Sequence, residues 1–145
     1  MQGSESISGA TAEIINRIKA QMVPRGFQAA QQLYNSTQII LSGSRSGRVY
    51  GISNTGRHYT ASAPGQPPAV RTGMLRASFR PTVSVENNGG FTIHSQAKSG
   101  LSVGGYVLGS LLDEGTERMA ARPFKEKVKE RAVPEINKIF SAPYE

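Results

Sequence analysis

The N-terminal third of the chain carries apolar residues at helical spacing. They recur at gaps of three and four, with Ile15 beside them: Ile7, Ala10, Ile14, Ile18 and Met22. This spacing places them on one face of an amphipathic helix. Helical spacing resumes between Ala30 and Leu41, beyond Pro24-Arg25-Gly26. Proline removes a backbone donor and glycine lowers helix stability, so the pattern predicts one bent helix or two consecutive helices.

A second amphipathic helix is predicted near the C-terminal end. Its apolar ridge advances in steps of four: Phe124, Val128, Ala132, Ile136 and Phe140. Lysines, Arg131 and glutamates alternate between these positions, as on a solvated face. Pro123 suits the first helical position, and Pro134 must kink the helix or start a second one.

The middle of the chain is rich in strand-forming residues. Two such runs, 82–85 and 91–94, flank Asn87-Asn88-Gly89-Gly90, which predicts a tight hairpin with one buried face. Just before the hairpin, Thr72 is predicted to cap a short helical turn.

A further helix is predicted from Val103 to Leu112. Tyr106, Val107 and Leu111 are its candidate core positions. Gly115 is expected to form its left-handed C-terminal cap.

The segment between these regions, residues 43–72, is rich in glycine, serine and proline. Residues 48–52 and 57–60 form two candidate short strands within it. We expect a long extended arm that becomes ordered against a neighbouring subunit. The prediction is a single α+β domain over 1–145, composed of a helical region (1–42), the arm (43–72) and a hairpin-and-helix region (73–145). A small antiparallel sheet is packed by N-terminal, middle and C-terminal helices.

Composition limits the core and the available chemistry. Hydrophobic residues make up 37% of the 145 residues, below the usual ~45–50%, which predicts a modest core. There is no cysteine, so disulfides and thiolate metal sites are excluded. We expect no signal peptide, because the first residues lack a basic and an apolar region, and no membrane span, because no apolar run is long enough.

The net charge of +7 is unevenly distributed. No acidic residue lies between Glu13 and Glu86, a stretch that contains many arginines. Such a field attracts polyanions, and Arg45, Arg48 and Arg57 are candidate DNA-facing residues. Two alternatives are a solvated basic face and pairing with acidic patches of a neighbouring subunit.

Few residues could support catalysis. The histidines are His58 and His94, and Asp113 is the only aspartate. A triad of a serine with His94 and Asp113 can be drawn, but abundant serines make such a coincidence easy. No metal-ligand spacing or phosphate-binding glycine motif is present. We therefore expect no enzymatic activity, no metal site and no cofactor.

Two segments carry a family resemblance. The first is APGQPPAVRTGMLRASF at 63–79, a proline-rich loop followed by Thr-Gly and a turn containing Leu-Arg. The second is LDEGTERMAARPF at 112–124, an acidic residue, Gly-Thr and Met-Ala-Ala-Arg-Pro-Phe before the last helix. In order and spacing they resemble the small tail-component family of tailed bacteriophages, also described as tail-completion or head–tail joining neck proteins.

The resemblance implies assembly in the neck or tail of the virion after synthesis in the host bacterial cytoplasm. We expect a ring, with six copies as the expected number, that meets connector and tail-tube or tail-terminator proteins and lets DNA pass without sequence readout. The candidate interface residues lie in both segments: Pro64, Gly65, Pro67, Pro68, Arg71, Leu75, Arg76, Gly115, Thr116, Met119, Arg122 and Phe124. From its position, Arg122 could reach the Asp113 carboxylate or a neighbouring subunit. A tail-tube terminator ring and a monomeric, non-specific DNA-binding module are the alternatives.

Overall fold

The computed structural model describes residues 2–145, with side chains from Ile7 onward; Met1 lies outside this range. Within these residues, four helices accompany three antiparallel strand pairs, which confirms the α+β class. In chain order the elements are α1 (Gln2–Ser42), β1 (Val49–Gly51), β2 (His58–Thr60), α2 (Met74–Ser78), β3 (Phe79–Glu86), β4 (Thr92–Ser99), β5 (Ser102–Val103), β6 (Tyr106–Val107), α3 (Leu108–Glu114) and α4 (Lys125–Ser141).

Helix α1 is the longest element and continues through Pro24 without a break. Its two halves differ in environment. Residues 7–17 are all exposed, whereas Ala29, Ala30 and Leu41 are buried. The body of the protein is therefore assembled on the C-terminal half of this helix.

The hairpin of β3 and β4 packs against α1 at Gly26. Val83 and Ile93 lie on the hairpin face that approaches this glycine, and the Ser95 hydroxyl donates to the Gly26 carbonyl at 2.7 Å. A Cβ atom at position 26 would lie 2.5 Å from Cγ2 of Ile93. The same glycine that looks like a helix breaker in the sequence permits this close approach. The two strands are confirmed but are longer than the predicted runs, and Phe91 lies outside them. Glu86 pairs with Thr92, so a loop of residues 87–91 replaces the expected tight turn.

A small core joins four elements. It consists of Leu41, Phe79, Phe124 and Val128, with Leu33, Tyr34 and Leu75 among the partly buried residues around it. Phe79 and Phe124 meet edge to face, with ring centroids 6.1 Å apart and planes at 85°.

Helix α4 confirms the predicted ridge. Phe124, Val128 and Ala132 are buried, while Ile136 and Phe140 are half-buried. The charged residues from Lys125 to Arg131 are exposed. Pro134 lies inside one continuous helix, and Pro123 precedes the N-cap residue Phe124 instead of occupying the first helical position.

Arg25 secures the end of α4 to α1. Its guanidinium donates to the carbonyls of Ile139, Phe140, Ala142 and Pro143 at 2.6–3.2 Å. The last carbonyls of a helix have no partner within the helix, so a donor from outside stabilises them.

The region after β4 differs from the sequence prediction. Residues 102–107 form a two-stranded hairpin, β5 and β6, and helix α3 begins only at Leu108. Gly104 and Gly105 have φ values of 59° and 83°, which favour a tight hairpin turn over a helix. Tyr106 and Val107 were predicted as core residues; both are exposed, at 67% and 46%.

Two predicted caps also need correction. Gly73, with φ 81°, is the N-cap of α2, while the hydroxyl of the preceding Thr72 accepts a hydrogen bond from the Met74 amide at 3.4 Å. Gly115 does end α3, but its φ of 81° and ψ of 177° lie outside the left-handed helical region. Within residues 2–145, no helix combines the length and apolarity required to cross a membrane.

We expect Gly26→Ala to destabilise the protein relative to Gly9→Ala. Both substitutions raise helix propensity by a similar amount. Only position 26 faces a neighbour, since nothing lies within 4 Å of a Cβ at position 9. Overpacking against Ile93 should make the difference in unfolding free energy about 1–3 kcal/mol. Urea denaturation of both variants measures it, and equal stabilities would show that the close approach is relieved without cost.

Candidate interaction groove

The arm and the 113–124 loop meet around an open groove of about 510 Å³. Helix α2 and the β5–β6 hairpin complete its walls. Apolar side chains dominate the lining, chiefly Leu75, Leu101, Leu108, Leu112 and Met119. We call this feature the groove.

Arg45 holds the arm against the end of α1. Its guanidinium donates to the carbonyls of Pro67 and Pro68 in the arm at 2.6–3.2 Å. It also donates to the carbonyl of Ile40, in the last turn of α1, at 2.8 Å. Burial lowers the pKa of Arg45 from its usual value, but an arginine remains protonated in proteins. One side chain thus caps α1 and fixes the proline-rich part of the arm.

Gln66 closes the base of the arm. Its Oε1 accepts hydrogen bonds from the amides of Ser46 and Ala63 at 3.1 and 2.9 Å, and its Nε2 donates to Ser46 Oγ at 2.9 Å. Beyond this closure, β1 and β2 pair with each other, and Tyr50 stacks on Tyr59 with centroids 5.8 Å apart. The arm is therefore a loop tied at its base, and the two short strands expected within it are confirmed as a hairpin.

Asp113 fixes the second segment. Its Oδ1 accepts from the amides of Phe124 and Lys125 at 2.9 and 3.0 Å. A carboxylate at a helix N-terminus satisfies free amides and interacts favourably with the helix dipole. The structure therefore assigns Asp113 to the start of α4, and the contact between Arg122 and Asp113 that the sequence suggested is not formed.

Backbone contacts determine the shape of the 113–124 loop. A Cβ at Gly115 would lie 2.8 Å from the Ala121 amide nitrogen, so only glycine fits without rearrangement. The Arg122 amide donates to the Leu112 carbonyl at 2.6 Å, and the Gly65 amide donates to the Ala121 carbonyl at 3.4 Å. The second of these bonds connects the two segments directly.

Arg122 is the unusual polar residue of the groove. Its Nη1 is buried and has no hydrogen-bond partner among the described residues. A buried donor without an acceptor costs about 1–3 kcal/mol. Arg71 and Arg76 also line the groove, and Arg76 donates to Ser42 Oγ at 2.7 Å.

The predicted interface residues fall into three groups. Six of them line the groove: Pro68, Arg71, Leu75, Arg76, Met119 and Arg122. Pro64, Gly65 and Thr116 are exposed beside it, and Gly115 is half-buried in the loop backbone. Pro67 and Phe124 are buried, Phe124 being 2% exposed. Phe124 is therefore a core residue and is not available as an interface residue.

The groove also contains residues outside the two segments. Leu101, Val103 and Leu108 are among its lining residues. The Gly104-Gly105 pair is the sequence feature that indicates the hairpin bringing Val103 to this surface. The apolar residues around the pair are equally compatible with a helix.

The three candidate DNA-facing arginines occupy different environments. Arg48 and Arg57 are exposed on the arm hairpin, and the Arg48 guanidinium lies 5.6 Å from the Tyr50 ring centroid. Arg45 is partly buried, and its guanidinium donates to the carbonyls of Ile40, Pro67 and Pro68. Only Arg48 and Arg57 present free guanidinium surface.

Neither histidine is among the described residues that line the groove. His94 Nε2 lies 3.4 Å from Glu86 Oε2 across the end of the β3–β4 hairpin, without hydrogen-bond geometry. His58 is exposed on β2. Among the described residues, no group of three or more histidine, aspartate or glutamate side chains is arranged to hold a metal ion.

We expect Asp113→Ala to lower the unfolding free energy by about 0.5–2 kcal/mol, the range for loss of a helix cap. Asp113→Asn should lose less, because its amide oxygen can still accept. Glu117→Ala, an exposed change in the same loop, is the control. Urea denaturation compares the three variants; a loss for Glu117→Ala as large as for Asp113→Ala would contradict the assignment of Asp113 as a cap.

Comparisons with known proteins provide no relative: no protein-family model, curated protein or solved structure matches this chain.

Proposed function

We propose that this chain is a structural subunit of the neck of a tailed bacteriophage. Six copies form a ring that completes the tail and joins it to the head connector, leaving a passage for DNA. The observation that carries this proposal is that the two segments resembling the neck family, 63–79 and 112–124, adjoin each other around one open apolar groove. The resemblance lies in the sequence alone, and the proximity of the two segments in the fold is independent of it.

The distribution of apolar residues supports a subunit that packs against others. Leu41, Phe79, Phe124 and Val128 are the large residues of the core, whereas Val70, Met74 and Val103 are 38–62% exposed at the groove. A concentrated exposed apolar surface is typical of an interaction site. Within this proposal the chain acts through its contacts and performs no catalysis.

The charge distribution suits a channel for DNA. Arg48 and Arg57 are exposed on a hairpin beyond the closed base of the arm. Cationic side chains attract phosphates irrespective of base sequence. A ring with such hairpins toward its lumen would allow DNA to pass without sequence readout.

We expect the purified chain, mixed with its connector and tail-tube partners, to form closed rings visible by electron microscopy. A phage that lacks the chain should produce normal tails and separate filled heads. Tails of abnormal length would instead indicate a tail-tube terminator. A chain that remains monomeric both alone and with these partners would overturn the ring.

A monomeric DNA-binding module is the second candidate, favoured by the exposed hairpin with its stacked tyrosines. We expect Arg48→Gln/Arg57→Gln to reduce the slope of log affinity against log salt for duplex DNA by about 2, one per phosphate contact. Lys129→Gln/Arg131→Gln removes the same charge from the exposed face of α4 and should have a smaller effect. Equal effects of the two pairs would exclude the hairpin as the DNA-facing surface. A monomer that binds DNA through the hairpin, without ring formation, would favour the module.

A further inference from the structure

The groove has the chemistry of a binding site for an apolar and acidic segment. Val70, Met74 and Val103 leave apolar surface exposed on its walls. Arg71 and Arg122 add positive charge, and no carboxylate is among the described residues that line it. An occupant should therefore bring aliphatic side chains together with a carboxylate.

The exposed end of α1 has these properties. Ile7, Ile14 and Ile15 are 71%, 55% and 46% exposed, and helical periodicity places Ile7 and Ile14 on one face. In sequence, residues 1–16 contain Glu5 and Glu13 and no lysine or arginine. This is the only acidic stretch in the otherwise basic first 85 residues. The segment is thus complementary to the groove in both hydrophobicity and charge.

The two surfaces of one copy cannot meet. Leu41, near the C-terminal end of α1, lines the groove. Ile14 precedes it by 27 residues of the same helix, which is about 40 Å at the rise of an α-helix. The occupant must therefore come from another molecule.

We propose that residues 7–16 of one copy dock in the groove of the next copy. The isoleucines pack against the apolar walls, and the Glu13 carboxylate accepts hydrogen bonds from the groove arginines. Glu13 otherwise pairs with Arg17 at 3.3 Å, where both side chains are more than half exposed. Such a surface pair is weak and is readily exchanged.

This contact joins different surfaces of two identical subunits. Repetition of such a heterologous contact produces a closed ring or an open filament, depending on the rotation between copies. The inference rests on the proposed ring and identifies the contact that builds it.

Disulfide cross-linking tests this contact directly, because the chain has no cysteine of its own. Ile14→Cys and Met74→Cys change two exposed residues, one on each proposed surface. Mixed under oxidising conditions, the two variants should form a mixed disulfide dimer. The double variant Ile14→Cys/Met74→Cys should form a ladder of higher oligomers. Asn16→Cys, on the opposite face of α1, should cross-link to Met74→Cys at least about tenfold more slowly; equal rates would overturn the proposal.

A charge exchange tests the proposed pairing of Glu13 with the groove arginine Arg71. Glu13→Arg should weaken self-association on the order of tenfold by placing like charges together. Arg71→Glu in the same chain should restore it, because Arg71 is exposed and lines the groove. Sedimentation velocity at several salt concentrations measures both variants. Failure of Arg71→Glu to restore association would overturn this pairing.

The outcomes separate the inference from the proposed function. Rings without the 14–74 cross-link would overturn the docking proposal and leave the neck function supported. Cross-linked open filaments in the presence of connector partners would support the docking proposal and overturn the closed ring. A strict monomer with no cross-link would overturn both.

Discussion

The edge-to-face contact between Phe79 and Phe124 is the interaction on which the rest of the fold depends. Phe79 begins β3, and Phe124 is the N-cap residue of α4. Gly109 of α3 lies against both rings, since its Cβ position is 3.5 Å from Phe124 and 3.8 Å from Phe79. Leu41, near the C-terminal end of α1, belongs to the same core cluster. Because so few large residues are buried, the loss of either ring would remove a large part of the core that joins α1, the hairpin, α3 and α4.

Polar clamps compensate for the small core. Arg25 and Arg45 each donate to several backbone carbonyls, so part of the positive charge stabilises the fold instead of facing a partner. Charge-assisted hydrogen bonds of this kind are stronger than neutral ones. The net charge of the chain thus overstates its free cationic surface, and Arg48 and Arg57 better indicate where a polyanion could bind.

The sequence predicted elements whose apolar spacing is regular and missed those determined by tertiary contacts. The ridge from Phe124 to Phe140 identified α4, because a repeat of four residues has one structural interpretation. The apolar run around Tyr106 is compatible with either a helix or a strand. The positive φ angles of Gly104 and Gly105 favour the hairpin. The two segments are recognisable in the sequence, but their meeting around a groove is not, because it depends on contacts between positions far apart in the chain, such as the Gly65 amide donating to the Ala121 carbonyl.

The hydrogen bonds between Arg25 and the end of α4 affect the order of folding. These hydrogen bonds to residues 139–143 span 114 to 118 positions of the chain. Closing so long a loop is slow compared with forming local helix. During synthesis α1 emerges long before α4. The apolar face of α1 therefore remains exposed to solvent until α4 has been made. A nascent chain is exposed to premature association throughout this interval.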